Sequence, residues 1–401
     1  MNSFNPDLTV DRVSNSLKGV SLDLVVSGSI GSVESVRFIR SLRRLGAMVR
    51  VILTSGAKLF TTKEALEWAS DNEVIENFSG AAPHIATSDF LIVAPASASI
   101  IGKIASGICD SPATTLIQSY LGMNKTVMLL PNMHTSLSSS PFVEENLKKI
   151  SKYITVLSPR KEEGKFKFPE PKVLADEVSH LYCSSLKDQS KSNVLVCMGS
   201  TKGYLDDIRY VSNYSSGSLG SHISEELYRS GFNVYIVTGN ATIKPSVYSK
   251  LVSAETNETM EKACNDVLES SGLKVHVIML ASVLDYVPKE KQDGKLRSGS
   301  SSLNVELIPT EKIISKLNPC DGFTKVGFKL EPNLDLNSAE KIASDYTKKY
   351  SLSGMVLNSF EDVSPSNHRA FIFTNGSYAS TGTSKQEIAS SIKDHVVEFS
   401  K

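Results

Sequence analysis

The sequence predicts an α/β protein: two tandem doubly wound, Rossmann-like domains, each on a parallel sheet. Three observations carry this. Both halves of the 401-residue chain alternate short apolar runs with stretches of helical periodicity. Runs such as Phe90-Leu-Ile-Val-Ala-Pro95 are continuously apolar, which marks strands buried on both faces and hence a parallel sheet between helices. A polar segment without periodicity, Ser184–Ser192, separates the halves. The expected division is 1–183, a linker at 184–192, and 193–401, as this length suggests.

In the first half the strands are Leu22–Gly28, Val49–Thr54, Phe90–Pro95, Thr126–Pro131 and Ile154–Ser158, with helices such as Ser32–Leu45 and Pro141–Lys152 between them. The second half restarts with strands Val194–Gly199, Val234–Gly239, Val275–Ala281, Lys325–Lys329 and Gly354–Leu357. Strand His368–Phe373 and helix Lys385–Phe399 finish it. The halves share no readable repeat.

Composition narrows the function. Acidic and basic side chains number 43 each, so no basic surplus points to nucleic acid. The charged run Lys161–Lys167 is short, mixed in sign, and reads as a solvated loop. Five scattered cysteines, with no CxxC pair and no histidine at metal spacing, argue against a structural zinc site or disulfide framework. They suit a reducing cytoplasm. Met1–Gly19 is polar, so no secretory signal is expected, and no apolar window is long enough to span a membrane. No metal ligands are assigned.

The richest stretch is Arg209-Tyr-Val-Ser-Asn-Tyr-Ser-Ser-Gly-Ser-Leu-Gly220, between strand Val194–Gly199 and the helical pattern Ile223–Tyr228. A strand, a small-residue loop and then a helix offer free N–H groups and a positive helix end to an anion. Ser215, Ser216 and Gly217 form that loop, with Arg209 and Asn213 ahead of it. By itself the stretch reads as a polar turn with Asn213 capping the helix; against that, Asp206, Asp207, Arg209 and Asn213 crowd around a loop that already looks anion-binding. A second cluster, Ala281-Ser-Val-Leu-Asp285-Tyr286, lies beyond the carboxyl end of its strand, where doubly wound folds bind ligands. A third, Asp293-Gly-Lys295-Leu-Arg297-Ser298, reads as a mobile basic loop suited to a triphosphate, or as a solvated loop.

Four loops of the first half follow strands and so converge on one crevice. They are Gly28-Ser29-Ile-Gly31-Ser32, Thr54-Ser55-Gly56-Ala57, Pro95-Ala-Ser97-Ala98-Ser99 and Pro131-Asn-Met133-His134. The crevice suits a single mononucleotide. A generic dinucleotide oxidoreductase fits poorly, since no GxGxxG is present.

Taken in order, Arg209–Gly220, Ala281–Tyr286, Lys295–Ser298, Pro309-Thr-Glu-Lys-Ile313 and Val326-Gly-Phe328-Lys-Leu-Glu331 resemble the motifs of phosphopantothenate–cysteine ligase. The resemblance implies activation of the 4′-phosphopantothenate carboxylate by CTP as an acyl-nucleotide, followed by attack of the cysteine amine. It implies that Lys295 stabilises charge on the transferring phosphate and that Asn213 holds the acyl-nucleotide carbonyl. Arg209 would help anchor a phosphate, and Ser215–Gly220 would take pyrophosphate oxygens. A helix terminus supplies only about 0.3–1 kcal/mol per charge, so Lys295 and a Mg²⁺ ion should carry more. Asp285 and Phe328 would contact the nucleotide.

The first-half loops resemble the flavoprotein that decarboxylates phosphopantothenoylcysteine, so the whole chain resembles the bifunctional decarboxylase–ligase family, in an archaeal-like form. FMN is the implied cofactor, held at Gly28, Ser29, Thr54, Ser97, Ala98 and Met133. The family's logic is oxidation of the cysteinyl thiol to a thioaldehyde that accepts the electron pair left by CO₂. His84, in Pro83-His84-Ile85-Ala86, matches the catalytic histidine; alone it would read as a surface or capping residue. An imidazole suits proton transfer near neutral pH. Asp110 matches an Asp/Asn position beside the substrate. The family implies a cytoplasmic homo-oligomer, trimer-based or dodecameric.

Two departures stand out. The family's Pro-x-Met-Asn reads Pro131-Asn-Met133-His134 here, which passes a substrate-carboxylate contact to His134, and Leu137-Ser138-Ser139 replaces the usual following aromatic. Bacterial and plant members carry a flap cysteine in Ala-Cys-Gly-Asp. Here the flap reads Glu162-Glu163-Gly164-Lys165-Phe166-Lys167-Phe168-Pro169, an archaeal-type pattern in which Lys165 is the candidate proton donor. The missing cysteine motivates a rival, a ligase with a degenerate FMN-binding first domain. A second rival is a nucleotide sensor without turnover, against which the Lys295 loop argues.

Overall fold

The computed structural model describes residues 6–187, 192–297, 302–364 and 368–400. The chain divides into two compact units, Met1–Tyr182 and Cys183–Lys401.

In the first unit, strands β1 (Ser21–Val26), β2 (Met48–Leu53), β3 (Phe90–Ala96), β4 (Val127–Pro131) and β5 (Thr155–Val156) form one sheet. Its order is β2-β1-β3-β4-β5 and every pair is parallel. This is a doubly wound order with its switch point between β1 and β3. The expected alternation of strands and helices holds, and β3 is buried along its whole length. Helices α1 (Ser35–Arg44), α2 (Lys63–Ser70), α3 (Ala98–Ala105), α4 (Pro112–Gly122), α5 (Thr135–Ser138), α6 (Pro141–Ile150) and α7 (Pro171–Ser185) complete the fold. Apolar positions three and four apart give each long helix one buried stripe. Ile101 and Ile104 of α3 and Leu116 and Ile117 of α4 thus pack onto Val25, Val93 and Leu129 of the sheet. A capping box at Ser111 and Pro112 in the first turn start α4. A short hairpin, β6 (Arg160–Glu162) and β7 (Lys165–Lys167), lies where a solvated loop was expected. Helix α7 runs two residues into the expected linker, and 188–191 lie outside the described residues.

A buried charge on the central sheet organises a network in this unit. Asp23 of β1 is fully enclosed. It accepts Arg50 Nε and Nη2, both at 2.6 Å, the Tyr120 hydroxyl at 2.7 Å and Ser88 Oγ at 3.1 Å. Arg50 sits opposite Asp23 in the β1–β2 register, which makes the fork geometry possible. Burial, with Asp23 beside it, pushes the Tyr120 phenol far up.

The second unit contains β8 (Asn193–Met198), β9 (Lys202–Tyr204), β10 (Tyr210–Ser212), β11 (Asn233–Thr238), β12 (Lys250–Ser253), β13 (His276–Met279), β14 (Tyr286–Pro288), β15 (Leu307–Pro309), β16 (Lys325–Glu331), β17 (Gly354–Val363), β18 (His368–Thr374) and β19 (Ser377–Gly382). The main sheet runs β12-β11-β8-β13-β16-β17-β18-β19. Its first six strands are parallel in the order of the dinucleotide-binding fold. The last two differ from the all-parallel expectation: β17–β18 and β18–β19 are antiparallel. At β18–β19 the cause is local: Asn375-Gly376, with φ of 48° and 80°, makes the two-residue turn that reverses the chain tightly. Helices α8 (Ser218–Arg229) and α12 (Lys385–Phe399) cover one face. Helix α9 (Asn257–Ser270) and the short α10 (Ile313–Lys316) pack on the other, and α11 (Leu336–Tyr350) packs on β17 and β18. Two hairpins, β9–β10 and β14–β15, stand outside the main sheet.

Candidate active sites

In the first unit the loops leaving β1, β2 and β3 are in contact. A Cβ on Gly28 would lie 2.8 Å from the carbonyl carbon of Gly56, so only glycine lets these two loops approach so closely. Ser27 Oγ donates to Pro95 O at 2.8 Å and accepts from Ser97 N at 2.9 Å. Thr54 Oγ1 donates to Val26 O at 3.1 Å. Ser97 caps α3 by accepting the Ile100 N–H, and Ala98 is that helix's first residue.

Between these loops lies a cavity of about 480 Å³ whose wall includes Gly28, Thr54, Ser97 and Asp110, together with Phe78 and Lys103. Its size is that of a small-molecule site. Asp110 pairs with Lys103 Nζ at 2.6 Å and accepts from Thr114 Oγ1 at 3.3 Å. The ammonium holds its carboxyl below the ordinary range.

His84 is not in this wall, but its ring meets Phe78 edge-on at 5.8 Å. Its Nδ1 is buried without a hydrogen-bond partner among the described residues. Ser29, Ala98, Met133 and His134 also lie outside the wall. Ser29 Oγ donates to Asn132 O at 3.1 Å and contacts its Oδ1. Asn132 Nδ2 donates to Phe166 O at 2.8 Å, and Phe166 N to Met133 O at 3.1 Å. His134 Nδ1 accepts from Ser136 N at 3.2 Å, which leaves Nε2 as its donor, and the backbones of His134 and Lys165 pair in an isolated antiparallel bridge. The flap hairpin is therefore tied to the segment after β4.

In the second unit, hydrogen bonds join four of the five expected motifs. Gly217 opens α8 at φ 80°, and a Cβ there would lie 2.6 Å from Ile243 O. Ser216 accepts from Ile243 N through its carbonyl at 2.9 Å, and its Oγ accepts from Ser218 N at 3.3 Å. Ser215, beside it, is half-buried. Asn213 Nδ2 donates to Val283 O at 3.3 Å, linking the first motif to the second. Thr310 N donates to Asp285 O at 2.9 Å, and Asp285 pairs with Lys312, which brings in the fourth. Arg209 Nη1 donates to Asp206 Oδ2 at 2.7 Å and to Leu296 O at 3.1 Å, which joins the third to the first. Phe328 is half-buried on β16, whose neighbour is β13. Lys295 is exposed and makes no hydrogen bond or ion pair among the described residues, and Ser298 lies outside them. No cluster of three metal-ligating side chains occurs among the described residues.

Sequence reasoning gave no role to Asn132 or Lys103, and noted Asp206 only as one of several polar residues near the loop. Asn132 sits inside a motif already singled out, whereas the partners of the other two become visible only in the fold.

Two doubly wound units, one with a mononucleotide-sized crevice and one with a basic loop tied to the turn that leads toward a glycine-opened helix, define a two-domain nucleotide-chemistry enzyme. A family model described as Flavoprotein matches residues 11–182, and one described as DNA/pantothenate metabolism flavoprotein C-terminal domain matches residues 189–399. The coenzyme A biosynthesis bifunctional protein CoaBC of Thermococcus kodakarensis is 34% identical over 354 residues, covering 86% of this chain and 85% of that protein. The protein of the same name from Methanocaldococcus jannaschii is 28% identical over 401 residues, covering 97% and 96%. A solved structure of the DNA/pantothenate metabolism flavoprotein from Streptococcus pneumoniae aligns with a TM-score of 0.47 at 22% identity, covering 52% of this chain and 99% of that one. The chain belongs to the CoaBC family. It is a bifunctional enzyme of coenzyme A biosynthesis, a phosphopantothenoylcysteine decarboxylase and a phosphopantothenate–cysteine ligase. The resemblance read from the motifs is borne out, and the ligase-only and sensor rivals give way to it. No helix among the described residues is long and apolar enough to cross a membrane.

Proposed function

We propose that residues 193–401 activate 4′-phosphopantothenate with CTP, as an acyl-cytidylate that cysteine then attacks. Residues 1–183 decarboxylate the product to 4′-phosphopantetheine with FMN, and 184–192 link the two. The observation that supports the ligase reading most is the hydrogen-bonded linkage of four separate motifs, two of them tied directly to the Arg209–Asn213 segment ahead of α8. In that site Lys295 stabilises charge at the transferring phosphate, Asn213 holds the acyl carbonyl, and Ser215, Ser216 and Gly217 receive phosphate oxygens. Arg209 orders the phosphate side, and Asp285 and Phe328 contact the nucleotide. Mg²⁺ arrives with the triphosphate and keeps most of its water, as that ion commonly does.

The first crevice fits FMN: it has a glycine cradle at Gly28, hydroxyls at Thr54 and Ser97, the N-terminus of α3 at Ala98, and room for a mononucleotide. Ser29 and Met133, outside the cavity wall, are assigned to the cofactor by the family resemblance alone. When bound, FMN supplies the reversible two-electron oxidation of the cysteinyl group. His84 moves a proton through its buried Nδ1, and Asp110, kept ionised by Lys103, orients the substrate. His134 presents Nε2 to the substrate carboxylate, and Lys165, paired with His134 through the backbone, replaces the flap cysteine as proton donor.

The enzyme works in the cytoplasm as a trimer-based or dodecameric homo-oligomer.

The test is incubation with 4′-phosphopantothenate, cysteine, Mg²⁺ and either CTP or ATP, with mass spectrometry of products. CMP and 4′-phosphopantetheine should appear with CTP. His84→Asn should stall the same mixture at phosphopantothenoylcysteine. AMP as the main nucleotide product would overturn the CTP assignment, and 4′-phosphopantetheine from His84→Asn would overturn the role of His84.

A further inference from the structure

Asp206 and Asp207 lie in the turn between β9 and β10, and they grip the two residues that flank Lys295. Leu296 N donates to Asp206 Oδ2 at 2.9 Å, and Gly294 N donates to Asp207 Oδ2 at 2.9 Å. Backbone bonds run beside these: Asp207 N to Gly294 O at 3.2 Å and Gln292 N to Leu205 O at 2.9 Å. Lys291 Nζ pairs with Asp207 Oδ1 at 2.6 Å. Asp206 Oδ1 is used within its own turn, accepting Ile208 N at 2.7 Å and Arg209 N at 2.5 Å.

The two carboxylates differ in setting. Asp206 is fully enclosed, so its bonds are shielded from water; Asp207 is exposed. Donors from both sides saturate the Asp206 oxygens, and the Arg209 amide first among them holds its carboxyl far below the usual range. Gly294 turns the loop at φ 74°, a conformation that favours glycine. The segment read as a mobile loop is thus anchored on each side of Lys295, while the Lys295 side chain has no partner among the described residues. The same turn feeds β10, and Asn213 follows that strand directly.

This rests on the reading of Lys295 as the charge at the transferring phosphate. We propose that Asp206 is a positioning residue for acyl-nucleotide formation, holding the Lys295 loop against the hairpin that carries Asn213, with Asp207 as a second, outer grip. The physical reason is orientation: a lysine on an untethered loop would meet the phosphate in many poses, few of them productive. A carboxylate that only stabilised its own turn, through the Ile208 and Arg209 amides and the Arg209 guanidinium, would have no use for the Leu296 N–H.

Asp206→Asn in the full chain separates the two. It keeps an acceptor for the Ile208 and Arg209 amides, but sets an NH₂ group against the Leu296 N–H and the Arg209 guanidinium. Pyrophosphate release is measured with 4′-phosphopantothenate, CTP and Mg²⁺, and hydrogen exchange is followed across 290–297. The expected result is lost protection in that segment and a rate lower by roughly 10- to 100-fold, the scale of a small misplacement. The KM for CTP should change by less than about threefold, because the lost contact acts in the transition state.

A variant with parent-like rate and exchange, a slow one with unchanged exchange, or a loosened one with parent-like rate would each overturn the proposal. Lys295→Ala is run alongside. Parent-like pyrophosphate release there would sink the reading of Lys295 and this proposal together. A slow Lys295→Ala beside a parent-like Asp206→Asn would sink the proposal alone. Should Asp206→Asn fail to fold, Asp207→Ala on the exposed side takes its place. It should lose Gly294 protection and slow pyrophosphate release, and parent-like behaviour on both counts would overturn the proposal.

Discussion

Asn132 holds Phe166 across 34 residues: its side-chain amide donates to the Phe166 carbonyl at 2.8 Å while Ser29 donates to its own carbonyl. One buried side chain thus connects the loop after β1, the segment after β4 and the flap hairpin. Asn132→Ala should free the flap. Trypsin should cut faster after Lys165 and Lys167, and CO₂ release should slow by about 10-fold or more through lost orientation. Paired time courses of proteolysis and decarboxylation check this; unchanged cleavage would separate Asn132 from the flap.

Asn213 should matter after activation rather than before it. Asn213→Ala is expected to release pyrophosphate at near the parental rate but to form phosphopantothenoylcysteine roughly 10²–10³-fold more slowly, as when a carbonyl-stabilising donor is removed. Quench-flow mass spectrometry should then show the acyl-nucleotide accumulating. Equal loss of both steps would place Asn213 in activation instead.

The Asp23–Arg50 pair is structural. Arg50→Met leaves a buried carboxylate without its cation and should cost about 3–5 kcal/mol. Replacing both, Asp23→Leu with Arg50→Met, should cost less than the single change, because no unpaired charge remains. Urea unfolding of the three proteins decides the order.

His368 sets a pH dependence. It is 6% exposed, its Nε2 donates to Asn358 Oδ1 at 2.9 Å, and burial pushes its pKa down to about 4. The folded chain therefore resists protonating it, while the unfolded chain accepts the proton near an ordinary ~6.5. Stability should be full above that value and fall by up to about 3 kcal/mol as pH drops toward 4. His368→Gln should flatten this slope in thermal melts of the second unit. A parent-like slope would assign the acid sensitivity elsewhere, His395 being another histidine whose pKa burial lowers.

The parts legible in the sequence were those with long-range regularity. Strand β3 announces itself by a continuous apolar run, and the crevice loops follow because doubly wound sheets place ligands at strand ends. The three hairpins were not legible: each strand in them has only three residues, too short for any period. The flap turn uses Glu163-Gly164, both at positive φ, where Asn-Gly would have signalled it. The reversed edge did carry that signal at Asn375-Gly376. Asp206 was visible only as one of several polar residues, since its partner Leu296 lies 90 positions away.

Every candidate residue of the decarboxylase site comes from Met1–Tyr182, and every one of the ligase site from Cys183–Lys401. A broken site in one chain therefore leaves the other site's parts intact on the same polypeptide. A chain carrying His84→Asn and another carrying Asn213→Ala should complement when mixed, the first exporting phosphopantothenoylcysteine and the second consuming it. The intermediate would then behave as common currency among enzyme molecules, and its concentration in the bulk would set the pace of the pair.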